Sequence, residues 1–422
     1  MERYIGIIGI LIIFILAFLM SNNKKAINYK TIGIGFLLQI LLAVFIFKVP
    51  IGEKIFLLIG DFIRKILEFA YEGGNFVFGP LLNNVRLNEL FGNNASIFTL
   101  QLICSSIFMM VLVNILYYYG IMQRVVALLG KAMNKLMHVS GAEALSNVAS
   151  AFVGQIVAQI MIKPYLEKLT RSELLASMSG SMACLSGAIL PIYVGMGIPA
   201  HYLLASSVMA VPGALILAKI IYPETGEPET RDNIKISRRR THANVFDAIS
   251  NGASEGMKVA INVTAMILAL VALVAFVDWV LGIGGAILYN HCPLCSHFAF
   301  LNHLSLKLIL GKIFFLFALI IGVPIQDASI VGSLMGTKIV LNEMVAYVNL
   351  SQIASNLNPK SFMLASFALC SFANFGSIAI QIGGIGELAP NQRKNLARLG
   401  VRALICGTLS CYLSAAIVGV LL

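Results

Sequence analysis

The chain has 422 residues, 59% of them hydrophobic and 12% charged, with a formal net charge of +11. A charged fraction about half that of soluble domains, together with a mean hydropathy of +0.88, excludes a soluble globule and indicates a polytopic membrane protein. The positive balance is no sign of nucleic acid, because the basic residues fall in short loops between apolar runs, where they set topology.

The first apolar run, Ile5 to Met20, follows only Arg3 and lacks a small-residue cleavage site, so it reads as a retained span. Ile32 to Phe47 returns the chain, placing the loop with Lys24, Lys25 and Lys30 in the cytoplasm. From Glu53 to Phe69, Asp61, Arg64, Lys65 and Glu68 form a polar stripe opposite Ile55, Ile59, Phe62, Ile63, Ile66 and Leu67. That pattern predicts an amphipathic helix in the outer interface. Gly73, Gly74, Gly79 and Pro80 are expected to break it before a polar external loop, Asn83 to Asn94. Ser96 to Tyr118 spans inward to Arg124, Lys131 and Lys135.

Gly141 to Tyr165 is apolar, rich in small residues and basic at both ends, which predicts a re-entrant hairpin rather than a span. Leu174 to Gly197 and His201 to Tyr222 are spans joined at Pro199, and Pro223 to Gly256, with Arg238, Arg239 and Arg240, is a cytoplasmic linker. Val259 to Gly282 then spans outward, and Ile283 to Ser305, without Asp, Glu, Lys or Arg, is external. Leu306 to Leu350, interrupted by Gly322, Pro324, Gly332 and Gly336, predicts a second hairpin entering from outside. Phe362 to Ile385 spans inward to Arg393, Lys394, Arg398 and Arg402, and Ala403 to Leu422 exits. The expected organisation is scaffold and interfacial helices over 1–95, a first repeat over 96–222, the linker over 223–256, and a second, inverted repeat over 257–422.

Glu343 is the focus of the second half, because no other carboxylate occurs between Asp327 and Glu387. An ionisable group in membrane-grade sequence faces a cavity, a partner or a substrate. Pairing with Lys338, five residues earlier, is the structural alternative. In Phe372-Ala-Asn-Phe-Gly-Ser377 a span is interrupted by polar and small residues, which lets a helix unwind and offer backbone groups to a ligand. Asn374 and Ser377 could instead only bond neighbouring helices. Gln155 and Glu343 are 188 positions apart, as are Ser186 and Asn374. Inverted repeats with hairpins and broken helices are transporter architecture. An enzyme is disfavoured, because carboxylates and histidines are scattered and form no catalytic cluster. Of seven cysteines, Cys104, Cys184, Cys370, Cys406 and Cys411 read as small core residues. Cys292 and Cys295, in His291-Cys-Pro-Leu-Cys-Ser-His297, read as an incidental external loop, with a metal or a disulfide as the alternatives.

Several motifs resemble those of the concentrative nucleoside transporter family. They are Val153-Gly-Gln155 with Ile162-Lys-Pro-Tyr-Leu166, Gly195-Met-Gly-Ile-Pro199, Gly336-Thr-Lys338 with Asn342-Glu343, and Phe372-Ala-Asn-Phe-Gly-Ser377 running into Ile378-Ala-Ile-Gln-Ile-Gly-Gly384. The resemblance implies an all-α polytopic protein of the inner or plasma membrane, with about eight transmembrane helices and two re-entrant hairpins. It further implies a homotrimer that imports nucleosides on an ion gradient by an elevator-like motion, without an organic cofactor.

By the same resemblance Glu343, Asn374 and Ser377 bind the ribose hydroxyls, Phe372 packs on the ligand, Gln155 meets the nucleobase and Ile189 lines the base pocket. The family's Gly-Gln-Thr-Glu run departs here to Gly154-Gln155-Ile156-Val157-Ala158-Gln159. Ile156 and Val157 remove hydrogen bonds to a base, and each unpaired polar group costs about 1–3 kcal/mol. The expectation is an altered base preference, weak transport of ordinary nucleosides, another ribosyl-like substrate, or a receptor that keeps the fold without transport. At the family's sodium position the chain has Ser150 in place of an Asn, the Val153 carbonyl, and Cys184 with Leu185 opposite. A Cys side chain supplies no oxygen ligand, so sodium and proton coupling both stay open, with Glu343 the candidate proton carrier.

Overall fold

A computed structural model of the chain describes residues 2–82, 84–91, 97–231, 243–291 and 304–422, and these contain helices and no strands. The Cys292/Cys295 loop, Arg238 to Arg240 and His303 lie outside the described residues.

Helix α1 (Glu2–Leu19) is followed by α2 (Tyr29–Lys48), whose first amides are capped by the Asn28 side chain. Pro50 opens α3 (Pro50–Phe78), the amphipathic helix, where Lys65 pairs with Glu68 and Arg64 with Asp61 along the exposed stripe. Gly73 and Gly74 do not break this helix. Gly74 is small because α5 crosses there: a Cβ at Gly74 would sit 2.4 Å from Cys104 Sγ. The break comes at Gly79, at a φ of +56°. The external segment holds a short helix, α4 (Asn84–Phe91), before α5 (Phe98–Tyr118) and the amphipathic α6 (Ile121–Met137).

The first hairpin is α7 (Gly141–Val153) and α8 (Gln155–Met161), with one more turn in α9 (Lys163–Leu166). It reverses at Gly154, whose φ of +86° lies in the region that favours glycine. A broken helix follows, α10 (Arg171–Ala183) and α11 (Leu190–Gly195), then α12 (Ala200–Ile221). Helix α13 (Val245–His291) starts inside the stretch read as linker and runs through Ile283 into the stretch read as external loop. Its apolar pattern continues across both sequence boundaries, so neither polar flank ends it.

Leu306 to Leu350 is not one hairpin. Helix α14 (Leu306–Ile320) turns by 118° into α15 (Ile325–Val340), and the hairpin proper is α15 with α16 (Glu343–Ile353). Pro324 immediately precedes α15, and proline cannot continue the preceding helix. The second broken helix is α17 (Pro359–Leu369) with α18 (Phe375–Leu388), and α19 (Arg393–Leu421) ends the fold. Among the described residues, counting each broken helix once, α1, α2, α5, α10/α11, α12, α13, α17/α18 and α19 give eight spans around two hairpins.

Helices α12 and α19 form the buried centre, packed on α10 and on each other. Two hydrogen-bonded caps fix the starts of α7 and α10 beside them. Ser140 and Glu143 close a capping box on α7, and Thr170 and Glu173 close another on α10. Lys219 Nζ lies 2.8 Å from Glu143 and 3.4 Å from Glu224, and donates to Ser172 at 2.9 Å, so the buried carboxylate of the α7 cap is neutralised from α12. The stretch after α12 folds back: Gly141 N–H donates to the Thr230 carbonyl and Ala142 N–H to its hydroxyl.

Candidate functional site

The repeat register is visible in the helix starts. Helix α8 begins at Gln155 and α16 at Glu343; α10 begins at Arg171 and α17 at Pro359. Both pairs are 188 positions apart. Each hairpin tip therefore carries its key side chain as the first residue of a short helix, and each broken helix faces the other repeat's tip.

Asn342 caps α16 through the Val345 amide, which places Glu343 at the tip, 8% exposed. Asn374 caps α18 by accepting from the Ser377 amide at 2.8 Å. With its oxygen fixed there, its Nδ2 donates to Glu343 Oε2 at 3.0 Å. The other carboxylate oxygen accepts from the Tyr193 hydroxyl at 3.3 Å. Glu343 thus joins the second hairpin to the second broken helix through Asn374 and to the first through Tyr193. Lys338 makes no ion pair with Glu343 at contact distance, and its Nζ has no hydrogen-bond partner among the described residues. Phe372 and Ser377 are buried at the same break. Carboxylate, amide and aromatic face converge at one place, where a carboxylate with four lone-pair sites still has room for two hydroxyl donors.

The first hairpin tip is built alike. Gln381 on α18 donates through Nε2 to Gln155 Oε1 at 3.4 Å and to the Met178 carbonyl at 3.2 Å, and its Oε1 has no partner among the described residues. Ile189 is half-buried at the end of the first break. Ile156 packs on α18, since a Cβ at Gly384 would fall 2.4 Å from Ile156 Cδ1. Val157 is 40% exposed on α8 and stands outside this cluster. Gln159 is committed elsewhere: it donates to Ser181 at 2.8 Å and accepts from Ser177 at 2.8 Å, bracing α8 on α10.

Ser150 Oγ donates to the Ser146 carbonyl at 2.7 Å and meets Ser181 Oγ at 3.0 Å. The Cys184 thiol turns to the Ser207 carbonyl on α12, at 3.6 Å, and Leu185 is fully buried. Val153 is half-buried, and the first hairpin is joined to the first break by the Gly187 N–H donating to the Phe152 carbonyl at 3.1 Å. The side-chain oxygens near this position are hydroxyls already bonded to one another, a donor set that fits a hard cation poorly.

Tyr193 and Gln381 were not singled out by sequence reasoning. They are themselves 188 positions apart, so the register that pairs Gln155 with Glu343 also pairs these two.

Residues 202–419 match the family described as the C-terminus of Na+ dependent nucleoside transporters, residues 8–81 the corresponding N-terminus, and residues 99–200 a gate domain described as nucleoside recognition. The chain belongs to this family. Among relatives, the nucleoside permease NupC of Helicobacter pylori is 37% identical over 419 residues, 98% of this chain and 96% of that protein. The uncharacterized transporter YutK of Bacillus subtilis is 39% identical over 98% of each chain. The sodium/nucleoside cotransporter 1 of Mus musculus is 31% identical over the whole of this chain and 64% of its own length. CNTnw in an inward-facing, substrate-bound state has a TM-score of 0.91 at 37% identity, covering 100% of this chain and 98% of that one. An outward-facing double variant of CNTnw gives 0.92 at 36% identity, with the same coverage.

Proposed function

We propose that this protein is a proton-coupled nucleoside importer, working by alternating access as a homotrimer in the inner or plasma membrane. The observation that carries it is the Glu343–Asn374 pair at the junction of the second hairpin and the second broken helix, 3.0 Å apart and buried. A ribose diol donating to Glu343 and bonding the Asn374 amide would tie hairpin to broken helix, so that binding energy closes the site. Phe372 covers the sugar, and Ser377 adds a hydroxyl at the same helix end. Family relatives include a nucleoside permease, and CNTnw has been captured facing both ways, which supports transport by this fold.

On the base side, Gln155 with Gln381 supplies the polar reading groups, while Ile156 and Ile189 form apolar walls. That composition favours a base read through one amide edge and shape. Proton coupling is favoured because Ser150, Ser181 and Gln159 satisfy one another and Cys184 faces α12. Glu343 then takes up the proton on one side of the membrane and releases it on the other.

The experiment is uptake of labelled uridine, adenosine and inosine into proteoliposomes under an imposed proton gradient and, separately, a sodium gradient. Saturable accumulation driven by protons is expected. Accumulation driven by sodium alone would overturn the proton reading, and none under either gradient would favour a receptor over a carrier.

A further inference from the structure

A groove of about 720 Å³ opens where the start of α2, the end of α6 and the start of α7 meet the stretch that folds back after α12. Four cations line it: Lys30 from α2, Lys131 and Lys135 from α6, and Arg231 from the folded-back stretch, with the His138 ring beside them. All five side chains are exposed, and none of the five makes a salt bridge among the described residues. No Asp or Glu among the described residues lines the groove.

The positive-inside rule accounts for basic residues at this face of the membrane and is indifferent to where on that face they stand. Here cations from three separate segments converge on one cavity, and the fold holds them there. Asn134 Nδ2 donates to the Val139 carbonyl at 2.6 Å and to the Arg231 carbonyl at 3.4 Å. Thr230 accepts from the Gly141 and Ala142 amides, so the backbone that carries Arg231 is pinned to both α6 and α7. Lys131 and Lys135 stand one turn apart on α6, a spacing at which like charges repel. His138, at a φ of +53°, is the one non-glycine residue with a positive φ among the described residues, at a helix end where glycine is the usual choice. A glycine there would relieve the backbone and leave the groove without its imidazole. Converging charge of one sign repels itself, and a bound anion removes that cost.

The donors define the anion. Ammonium groups and a guanidinium, with no carboxylate among them, are the set that recognises phosphate. Helix α6 indicates where the phosphate comes from. Val125, Leu128, Ala132 and Leu136 are exposed in one stripe along it, adjoining the stripe of Lys131 and Lys135. A helix of that kind lies at a membrane surface, its apolar side in lipid and its lysines at the level of the headgroups. Basic pockets between helices at this face hold anionic headgroups.

We propose that this groove binds a phosphate-bearing anion, the headgroup of an anionic phospholipid in the adjoining leaflet. A phosphate seated there neutralises Lys30 on α2 together with the cations at the base of the first hairpin, and so ties the hairpin's entry to the neighbouring span. The inference stands whatever solute is carried.

The test follows thermal unfolding of the purified full chain in detergent against dioleoylphosphatidylglycerol, with dioleoylphosphatidylcholine as the zwitterionic lipid of the same chains. A second arm replaces lipid with inorganic phosphate, compared with chloride at equal ionic strength. Two double variants accompany wild type. Lys131→Gln with Lys135→Gln removes two cations from the groove, and Lys24→Gln with Lys25→Gln removes two exposed cations from the loop before α2 that do not line it. The exchanged side chains are exposed and make no ion pair among the described residues, so both variants are expected to fold.

Wild type is expected to gain several degrees, saturably, with phosphatidylglycerol and not with phosphatidylcholine. The groove variant should need roughly tenfold or more phosphatidylglycerol for half of that gain, and the loop variant no more than wild type. A gain with inorganic phosphate and none with phosphatidylglycerol, weakened in the groove variant alone, supports the phosphate site and assigns it to a soluble phosphate. Equal responses of the two double variants to whichever phosphate acts on wild type would reduce the effect to general surface charge and overturn the proposal. No gain with either phosphate would overturn it as well.

Discussion

The Tyr193 hydroxyl donates to Glu343 Oε1 across 3.3 Å, from the broken helix of one repeat to the hairpin tip of the other. The register turns this single bond into a pattern, because Gln381 donates to Gln155 at 3.4 Å at the positions 188 residues away from Tyr193 and Glu343. Each tip is held by the opposite repeat. Neither hairpin can open without releasing a bond that the other half of the chain supplies.

Tyr193→Phe should therefore weaken nucleoside binding by roughly 10–15-fold, the worth of one hydrogen bond to a charged group at its low end, and leave the fold intact. Glu343→Gln removes the charge itself, and binding should fall by roughly 10–150-fold, with transport abolished. Because the two residues touch, the double variant should lose less than the sum of the singles. Calorimetric titration of the purified variants measures both terms, and strict additivity would show that the bond is incidental.

At the first tip, Gly154→Ala forces an L-residue into φ +86° and brings its Cβ to 3.2 Å from Ser186 Cβ. With ψ at 175°, the dihedral pair lies in a region kept almost entirely to glycine and costs about 1–3 kcal/mol. A lower melting temperature is expected. Adding Ser186→Gly should recover only part of it, since that change relieves the contact and not the backbone. An unchanged melting temperature for Gly154→Ala would mean that the hairpin turns differently.

Lys219→Met leaves Glu143, 1% exposed, without its cation and removes the tie to Glu224. Breaking a buried ion pair costs about 3–5 kcal/mol. The exposed pair Lys168–Glu229 is the control, and Lys168→Met should cost no more than about 1 kcal/mol. Thermal unfolding of the two variants side by side separates a cap held by its buried counter-ion from ordinary surface pairing.

Restoring polarity on the base side, with Ile156→Thr and Val157→Glu together, should change the ranking of nucleosides in competition uptake by roughly tenfold, the worth of one or two hydrogen bonds. Uptake should still require Glu343. Val157 is 40% exposed, so a carboxylate there displaces little packing within the chain, whereas Ile156 must give up its packing on Gly384. An unchanged ranking would place base reading entirely with Gln155 and Gln381.

Much of this architecture is legible in the sequence because a bilayer leaves few choices. Apolar runs and basic loops yield the spans, and Gly154 with its flanking small residues yields the first hairpin. Glu343 and Asn374 stand out as polar groups in apolar sequence, and they meet in space. Other features are set by packing that no single stretch encodes. Gly74 looks like a helix breaker until Cys104 of α5 is seen against it, and Leu306 to Ile320 looks like hairpin until it folds back by 118°. Gln159 lies in the same run as Gln155, yet two serines on α10 claim its amide. Tyr193 and Gln381 escape a linear reading because each acts across the chain on the other repeat's tip.

Helix α13 has 47 residues and, at 1.5 Å per residue, is about 70 Å long, more than twice the roughly 30 Å of hydrocarbon it crosses. Spans of 20 to 22 residues such as α2, α5 and α12 match that thickness. Near its start α13 lies against α5, where Cβ atoms at Gly252 and Gly256 would fall 2.7 Å and 2.4 Å from the α5 backbone. The close crossing fixes that end, and the surplus length must be taken up by tilt or by emergence into water. Bilayer thickness thereby becomes an input to the protein: a thicker or thinner lipid changes the slope of one long rod far more than it disturbs its shorter neighbours.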